Sequence, residues 1–145
     1  MLITEVTGNR ENYLDLLLLA DPSEKMVRKY LDGGIMLIAV EDNKTIGEII
    51  AVPVSPIEWE IKNLAVNEAY RGRGYGMALI LSLSGRLREG TVLIVGTSDS
   101  NVEFYEKCGF FYFRTEPGYF TENYPEPIFE NGRQCTDLIY LKQTL

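Results

Sequence analysis

The order of apolar and polar residues divides the start of the chain into a strand followed by two helices. Leu2–Val6 alternates apolar and polar residues, which is the pattern of a strand with one buried face. Apolar residues recur at helical spacing over Asn9–Ala20. Pro22 fits the first turn of a second short helix that reaches about Leu31, and the glycines at 33–34 are expected to end that helix.

Three strand patterns follow, and they are expected to pair in an antiparallel arrangement. Gly34–Val40 and Thr45–Val54 are rich in β-branched and other apolar residues. The polar tetrad Glu41–Lys44 between them predicts a hairpin turn. A third strand is predicted over Glu58–Val66.

Helices and strands alternate in the second half of the chain. Helices are predicted over Gly74–Glu89 and Asn101–Lys107, with Gly90 and Gly109 as their expected ends. The segment 116–134 is rich in Pro, Gly, Asn and Glu and is predicted to be a long loop. The remaining strand patterns are Thr91–Gly96 (short, apolar and typical of a central strand), Phe110–Thr115 and Asp137–Leu141. The whole pattern predicts a mixed α/β fold built on one sheet.

Length and charge narrow the classes of function. A chain of 145 residues is expected to form a single domain over 1–145. The 14 basic and 21 acidic residues leave a net charge of −7, which disfavours broad attraction to nucleic acids or anionic membranes. An acidic protein of this kind is compatible with cationic substrates such as amines.

The absence of some residue patterns excludes further classes. No apolar run reaches the roughly 18 residues that a membrane helix needs, and the first residues do not resemble a signal peptide, so a cytoplasmic protein is expected. The chain has no histidine, which excludes a histidine general base and a zinc site of two cysteines and two histidines. Cys108 and Cys135 lie far apart and are expected to be free thiols, with no metal site.

The segment after the third strand carries the strongest chemical signal. Gly72, Gly74 and Gly76 lie within five residues, and a helix is predicted to begin immediately afterwards. Glycines let backbone N–H groups approach a ligand, and a helix N-terminus adds free N–H groups and a partial positive charge. Arg71 and Arg73 add full positive charges. Together these features predict a phosphate or pyrophosphate site.

Two other phosphate-binding loops fit this segment less well. A Walker loop ends in Gly-Lys-Ser/Thr, and Met77-Ala78 stand in the wrong positions for it. The dinucleotide fingerprint requires a glycine three positions after Gly74, where Met77 stands. Glycines alone are also compatible with a strand–helix turn that binds nothing.

Arg71, Gly74 and Gly76 have the spacing Arg/Gln-x-x-Gly-x-Gly/Ala, after a strand that ends in Leu64–Val66. Downstream, the segment 98–113 contains an asparagine followed by Phe-Tyr-Glu-Lys-Cys-Gly-Phe. Both segments resemble the signatures of the GCN5-related N-acetyltransferase (GNAT) superfamily, and the chain is similar to its small bacterial single-domain members. Many of those members have proline where this chain has Glu68, a departure that affects only the shape of the loop.

The resemblance implies a fold, a cofactor and a set of site residues. The implied fold is a mixed, mostly antiparallel sheet of six to seven strands flanked by about four helices, in which a bulge parts the sheet beside the cofactor. The implied cofactor is acetyl-CoA, its pyrophosphate held by the backbone amides of about 71–76, and a homodimer is plausible for the family. The cofactor-binding residues implied by the resemblance are Leu64, Ala65, Val66, Arg71, Gly72, Arg73, Gly74, Tyr75, Gly76 and Asn101.

The resemblance also implies direct attack of a neutral amine on the thioester. Tyr105 is expected near the thioester sulfur, where a phenol can protonate the departing thiolate, although an aromatic residue at this place could equally pack in the core. Glu60 is the candidate general base, because some relatives carry a glutamate on this strand. The competing interpretation is that Glu60 pairs with Lys62, two residues further along the same strand.

The acceptor is not predicted beyond an amine-bearing substrate. The family builds its acceptor pockets from segments that correspond here to about 9–32 and 116–134, and the aromatic residues of the second segment either line such a pocket or pack elsewhere. The main alternative function is a non-catalytic acyl-CoA-binding regulatory domain. A binder of another nucleotide and a purely structural domain are further alternatives.

Overall fold

The computed structural model describes all residues from Met1 to Leu145, arranged as nine strands and five α-helices. The strands are β1 (Leu2–Glu5), β2 (Ile35–Glu41), β3 (Lys44–Pro53), β4 (Glu58–Val66), β5 (Val92–Thr97), β6 (Phe111–Glu116), β7 (Phe129–Glu130), β8 (Arg133–Gln134) and β9 (Leu138–Thr144). The helices are α1 (Leu14–Ala20), α2 (Glu24–Arg28), α3 (Tyr75–Ser84), α4 (Val102–Lys107) and α5 (Tyr119–Asn123). Single 3₁₀ turns lie at Arg10–Tyr13, Glu68–Tyr70 and Asp99–Asn101.

Seven strands form one sheet in the order β1-β2-β3-β4-β5-β9-β6. All neighbours pair antiparallel except β4 and β5, which are parallel and are connected through α3. The predicted mixed, mostly antiparallel sheet with flanking helices is therefore confirmed. No helix in the structure is long and apolar enough to cross a membrane.

Helices cover both faces of the sheet and bury one apolar cluster on each. The cluster under α3 and α4 includes Ile49, Ile61, Leu79, Leu83, Leu93, Tyr105 and Phe110. The cluster under α1 and α2 includes Leu17, Val27, Met36, Ile38 and Ile50. Each apolar side chain of this size contributes roughly 1.5–3 kcal/mol when fully buried, so the two clusters hold the helices firmly against the sheet.

The predicted turn between β2 and β3 is present and has a specific backbone conformation. Asp42 and Asn43 both have positive φ, 50° and 63°, as a two-residue type I′ turn requires. Aspartate and asparagine tolerate this left-handed conformation better than other non-glycine residues, which explains the choice of residues here.

Two predicted helices are shorter in the structure. α3 occupies Tyr75–Ser84 instead of Gly74–Glu89, with Gly85 as its C-cap, while Gly90 lies in a turn before β5 with φ 90°. The prediction overran because Leu87 continues the apolar spacing, but Leu87 packs on the core from the turn after the helix.

The second N-terminal helix also begins later and ends earlier than predicted. α2 covers Glu24–Arg28, and Pro22 precedes its N-cap instead of standing in its first turn. Ser23 is the N-cap, its Oγ accepting a hydrogen bond from the backbone N–H of Met26 at 3.2 Å.

The prediction of a long loop over 116–134 was wrong. Gly118, in the left-handed conformation with φ 69°, is the N-cap of α5, and β7 pairs with β8 in a short hairpin. Asn131 and Gly132 close that hairpin with φ 52° and 78°. Elements of two and five residues are too short to show a hydrophobic period, so only the turn residues could have indicated them.

Glu48 is buried on β3 without a hydrogen-bond partner for either carboxyl oxygen. Its register partners are Ile38 on β2 and Ala65 on β4. Burial raises the pKa of Glu48 well above its usual value. The nearby backbone amide of Ala65 favours the charged form and offsets part of this effect, although it does not reach hydrogen-bond geometry. Ionisation of Glu48 therefore opposes folding.

We expect the Glu48→Gln protein to gain stability over wild type as pH rises. The raised pKa means that the folded state keeps a proton that the unfolded state releases above a pKa of about 4.3, so wild type loses stability as pH increases from there. Melting temperatures from pH 4 to 8 check this, with Glu89→Gln, an exposed glutamate, as the matched control. A wild-type curve that stays parallel to that of Glu48→Gln across this range would contradict the assignment.

Candidate active site

The parallel pairing of β4 with β5 stops halfway along the strands and opens a gap in the sheet. The paired residues run from Glu58 opposite Val92 to Ile61 opposite Val95. Beyond that point β4 continues to Val66 along β3 only, and β5 continues along β9 only. The backbone of 62–66 therefore has no strand partner on the side of the gap.

A β-bulge at Lys62 accompanies the separation. Ile50 pairs with Asn63 and Ala51 with Ile61, so Lys62 is an extra residue in β4. Ile61 then packs in the cluster under α3, whereas the Asn63 amide donates to the carbonyl of Leu17 in α1, on the opposite face. A regular strand would place both residues on one face.

The hydrogen-bonding alternation decides which backbone groups face the gap. The N–H of Asn67 donates to the Ile46 carbonyl at 2.7 Å, so every second residue of β4, counting back from Asn67, bonds to β3. The N–H and C=O groups of Leu64 and Val66 consequently point into the gap. The only side chain that reaches one of them is Arg71, whose Nε donates to the Val66 carbonyl at 3.2 Å.

A cleft of about 1440 Å³ passes through this gap and extends over both faces of the sheet. It brings together all the predicted site residues except Arg73, namely Glu60, Leu64, Ala65, Val66, Arg71, Gly72, Gly74, Tyr75, Gly76, Asn101 and Tyr105. The walls also contain residues from α1, α2, α5 and the β7–β8 hairpin. The sequence motifs and the N-terminal helices therefore meet in one cleft.

The glycine loop forms the mouth of the cleft at the N-terminus of α3. Gly72 and Gly74 have φ values of 76° and 85°, a conformation that strains other residues, although a Cβ at either position would meet only open space. Gly76 serves a different purpose, because a Cβ there would lie 3.0 Å from the Phe104 ring of α4. The loop thus presents the free N–H groups of the first turn of α3 to the cleft.

The two arginines of the loop are placed differently. Arg71 lines the cleft and is exposed, so its charge is available to an anion at the loop. Arg73 lies outside the cleft, with its guanidinium 5.4 Å from the centre of the Tyr70 ring. The structure therefore favours Arg71 over Arg73 as the cationic group of the site.

Tyr105 lies on α4 inside the cleft. Its ring is buried and packs edge-on against Phe104 and Phe110, at centroid distances of 5.0 and 5.6 Å. Burial is the main cause that raises the pKa of Tyr105, and its hydroxyl makes no hydrogen bond to the protein. The ring of Tyr105 thus packs in the core, which was one of the two roles the sequence allowed. Its protonated hydroxyl is still free to contact a ligand.

Glu60 and Lys62 form the ion pair that the sequence offered as an alternative. The Lys62 ammonium lies 3.1 Å from Glu60 Oε2, and both side chains are partly exposed. Glu60 still lines the cleft next to the gap. Pairing with Lys62 and contact with a ligand are therefore both available to Glu60.

A cluster around Glu130 was not predicted. One oxygen of Glu130, on β7, accepts hydrogen bonds from Ser98 at 2.8 Å, Ser100 at 3.0 Å and the Asn101 amide at 3.0 Å. Ser98 is buried, and its hydroxyl also lies 3.1 Å from the hydroxyl of Ser100. The β7–β8 hairpin thereby fixes the loop between β5 and α4, including Asn101.

A second unpredicted cluster surrounds Asp21 at the end of α1. Its carboxylate accepts hydrogen bonds from the hydroxyls of Tyr30 at 3.1 Å and Tyr124 at 2.9 Å. All three residues line the cleft. Tyr124 follows α5, so this cluster ties the segment after β6 to the N-terminal helices.

The structure contains no group of three or more side chains suited to hold a metal ion, and Cys108 and Cys135 are free thiols.

The family of acetyltransferase (GNAT) domains matches residues 32–111, which cover β2 to the start of β6. The chain is also 36% identical over 138 residues to the uncharacterized N-acetyltransferase YvbK of Bacillus subtilis (strain 168), covering 92% of this chain and 88% of that protein. The chain belongs to the GNAT family of acetyltransferases. It is thus an N-acetyltransferase by family, and acetyl-CoA is the acetyl donor of this family.

Solved structures of GNAT proteins agree with the fold. A GNAT family acetyltransferase from Elizabethkingia anophelis with acetyl-CoA bound has a TM-score of 0.88 and 36% identity, covering 99% of this chain and 97% of that one. The IAA acetyltransferase from Bacillus cereus ATCC 14579 has a TM-score of 0.89 and 34% identity, with 99% of both chains covered. The similarity therefore includes the N-terminal helices and the segment after β6.

We expect Glu130→Ala to destabilise the protein by about 1–3 kcal/mol, because it removes the acceptor that Ser98, Ser100 and Asn101 share. Urea unfolding followed by circular dichroism measures the change. Glu126→Ala, which removes an exposed glutamate from the same segment, is the control and should stay within about 0.5 kcal/mol of wild type. Equal stabilities for the two variants would show that the Glu130 cluster contributes nothing to folding.

Proposed function

We propose that this GNAT protein binds acetyl-CoA in the gap between β4 and β5 and transfers the acetyl group directly to a primary amine in a ternary complex. The observation that carries the proposal is the coincidence of three features in one cleft. These features are the unpaired backbone of 62–66, the glycine loop at the N-terminus of α3 and the unbonded hydroxyl of Tyr105.

The part of the cleft between the β4–β5 gap and the glycine loop is suited to bind acetyl-CoA. The gap-facing groups of Leu64 and Val66 can pair with the amides of the pantetheine arm as a further strand would. The pyrophosphate fits the N–H groups at 71–76 and the partial positive charge of α3, with Arg71 as counter-charge. We propose that Asn101, which is held by its hydrogen bond to Glu130, lies beside the pantetheine arm.

The proposed reaction is a single acyl transfer. The lone pair of the neutral amine attacks the thioester carbonyl carbon, and the backbone N–H of Leu64 or Val66 stabilises the oxyanion that forms. The C–S bond then breaks, and Tyr105 donates its proton to the departing sulfur. Burial raises the pKa of the Tyr105 phenol, so the hydroxyl keeps the proton that the departing sulfur accepts.

We propose Glu60 as the group that removes the amine proton, directly or through water. It is a carboxylate of β4 on the wall of the cleft, and the chain has no histidine for this task. The Lys62 ammonium at 3.1 Å holds the carboxylate in place. The amine proton passes to Glu60 and the Tyr105 proton to the sulfur, and a proton returned through water from Glu60 to Tyr105 restores both groups.

The proposal concerns a single-domain enzyme of residues 1–145 acting in the cytoplasm. The free thiols of Cys108 and Cys135 suit a reducing compartment. The homodimer implied by the family resemblance stays a prediction.

We expect acetyl-CoA to raise the melting temperature by several degrees at about 100 times its dissociation constant, where binding adds roughly 2.7 kcal/mol. Arg71→Ala should weaken acetyl-CoA binding by about tenfold or more, because it removes a charged hydrogen-bond donor from the pyrophosphate. Thermal shift titrations measure both, with Arg88→Ala, an exposed arginine outside the cleft, as control. No shift in a folded sample, or a shift with NAD equal to that with acetyl-CoA, would reject the donor site.

We expect Tyr105→Phe to lower turnover by about tenfold or more while acetyl-CoA still binds, because the variant keeps the ring packing and loses only the proton donor. Release of CoA thiol, followed with a thiol reagent at saturating acetyl-CoA, measures turnover. Tyr112→Phe, which changes an exposed tyrosine of β6, is the control. Unchanged turnover in Tyr105→Phe would remove Tyr105 from the mechanism.

A further inference from the structure

We propose that Asp21 binds a second, non-reacting ammonium group of the acceptor, so that the preferred substrates are diamines and larger polyamines. The inference rests on the proposed function and specifies its acceptor. Asp21 lines the cleft, and no cation of the protein pairs with its carboxylate.

The carboxylate of Asp21 is held only by neutral donors. Its Oδ1 accepts hydrogen bonds from the Tyr124 hydroxyl and the Ser23 backbone N–H, and its Oδ2 accepts one from the Tyr30 hydroxyl. A carboxylate has about four acceptor positions, so one remains on Oδ2. None of the six ion pairs of the protein includes Asp21.

The direction of these hydrogen bonds is fixed by the surrounding groups. The Leu17 carbonyl can only accept, so the atom of Asn63 that contacts it at 3.0 Å is the amide nitrogen. That nitrogen also donates to the Tyr30 oxygen at 2.9 Å, and Tyr30 therefore turns its own proton toward Asp21. Burial raises the pKa of both Tyr30 and Tyr124, which keeps both hydroxyls protonated as donors.

Aromatic rings form the wall beside Asp21. The rings of Tyr119, Phe120 and Tyr124 pack against one another with centroids 5.3 to 6.4 Å apart. All three line the cleft, together with Tyr140. A carboxylate that shares a cleft with several aromatic side chains is a favourable environment for an ammonium group.

The neighbouring charges do not neutralise Asp21. The Lys62 ammonium is paired with Glu60, and Lys29 at the rim is exposed and makes no ion pair. Glu130 is held by three donors of its own. No cation of the protein pairs with Asp21, so its carboxylate is available to a ligand cation.

The position of Asp21 indicates that this cation is not the reacting amine. Asp21 ends α1 on one face of the sheet, whereas Tyr105 packs in the cluster under α3 and α4 on the other face. The reacting amine must lie at the gap beside Tyr105 and must be neutral to attack. An ammonium group at Asp21 therefore belongs to another part of the same acceptor molecule.

The test compares matched acceptors at saturating acetyl-CoA, namely 1,4-diaminobutane, n-butylamine and 4-aminobutanoate. We expect kcat/KM for the diamine to exceed that for butylamine by about tenfold or more, and the anionic 4-aminobutanoate to be the poorest. Asp21→Asn keeps an acceptor for Tyr30 and removes the charge. It should lower the ratio of kcat/KM for the diamine to kcat/KM for butylamine to near one, mainly by raising KM for the diamine, and Asp15→Asn, an exposed aspartate of α1, should keep the wild-type ratio.

Equal rates for diamine and butylamine in wild type would overturn the inference and leave the acetyltransferase proposal intact. A diamine preference that survives in folded Asp21→Asn would also overturn it, as would acetyl-CoA binding without turnover of any diamine from three to six carbons. If Asp21→Asn does not fold, the wild-type comparison decides alone. Failure of the proposed function is recognised separately, because acetyl-CoA then gives no thermal shift.

Discussion

The end of hydrogen bonding between β4 and β5 is the constraint on which the rest of the structure depends. Backbone groups inside a sheet need partners, and those of Leu64 and Val66 lie beyond the last residue pair that joins β4 to β5. The protein keeps this cost small, because the four residue pairs before the gap still join the two halves of the sheet. A ligand that supplies strand-like amides therefore completes a sheet that the chain alone leaves open.

Three carboxyl groups near the centre of this protein have very different surroundings. One oxygen of Glu130 accepts hydrogen bonds from three neighbouring hydroxyl and amide donors, and Asp21 is held by three donors spread over both of its oxygens. Glu48 has no partner. These differences follow from position, because the first two face the cleft and the third lies inside the sheet, one strand away from the gap.

The sheet and the residues proposed to bind acetyl-CoA could be predicted from the sequence because they lie in short continuous segments. Arg71, Gly74 and Gly76 need only local geometry to act together, and Tyr105 belongs to a recognisable run. The acceptor side differs in kind, since the hydrogen bond between Asp21 and Tyr124 joins residues 103 positions apart. The periodicity of apolar residues describes only neighbouring positions, so it cannot indicate a contact between such distant residues. The short elements of 116–134 show no periodic pattern either.

The residues assigned to the acetyl donor and those assigned to the acceptor come from different segments of the chain. The residues assigned to the donor lie between Glu60 and Tyr105, on the central strands and the two helices that pack beneath them. Those assigned to the acceptor lie on either side of this stretch, at the end of α1 and after α5. Substitutions in the flanking segments can therefore change which molecule is modified while the acetylation chemistry stays intact, so specificity and catalysis are free to evolve separately within one small domain.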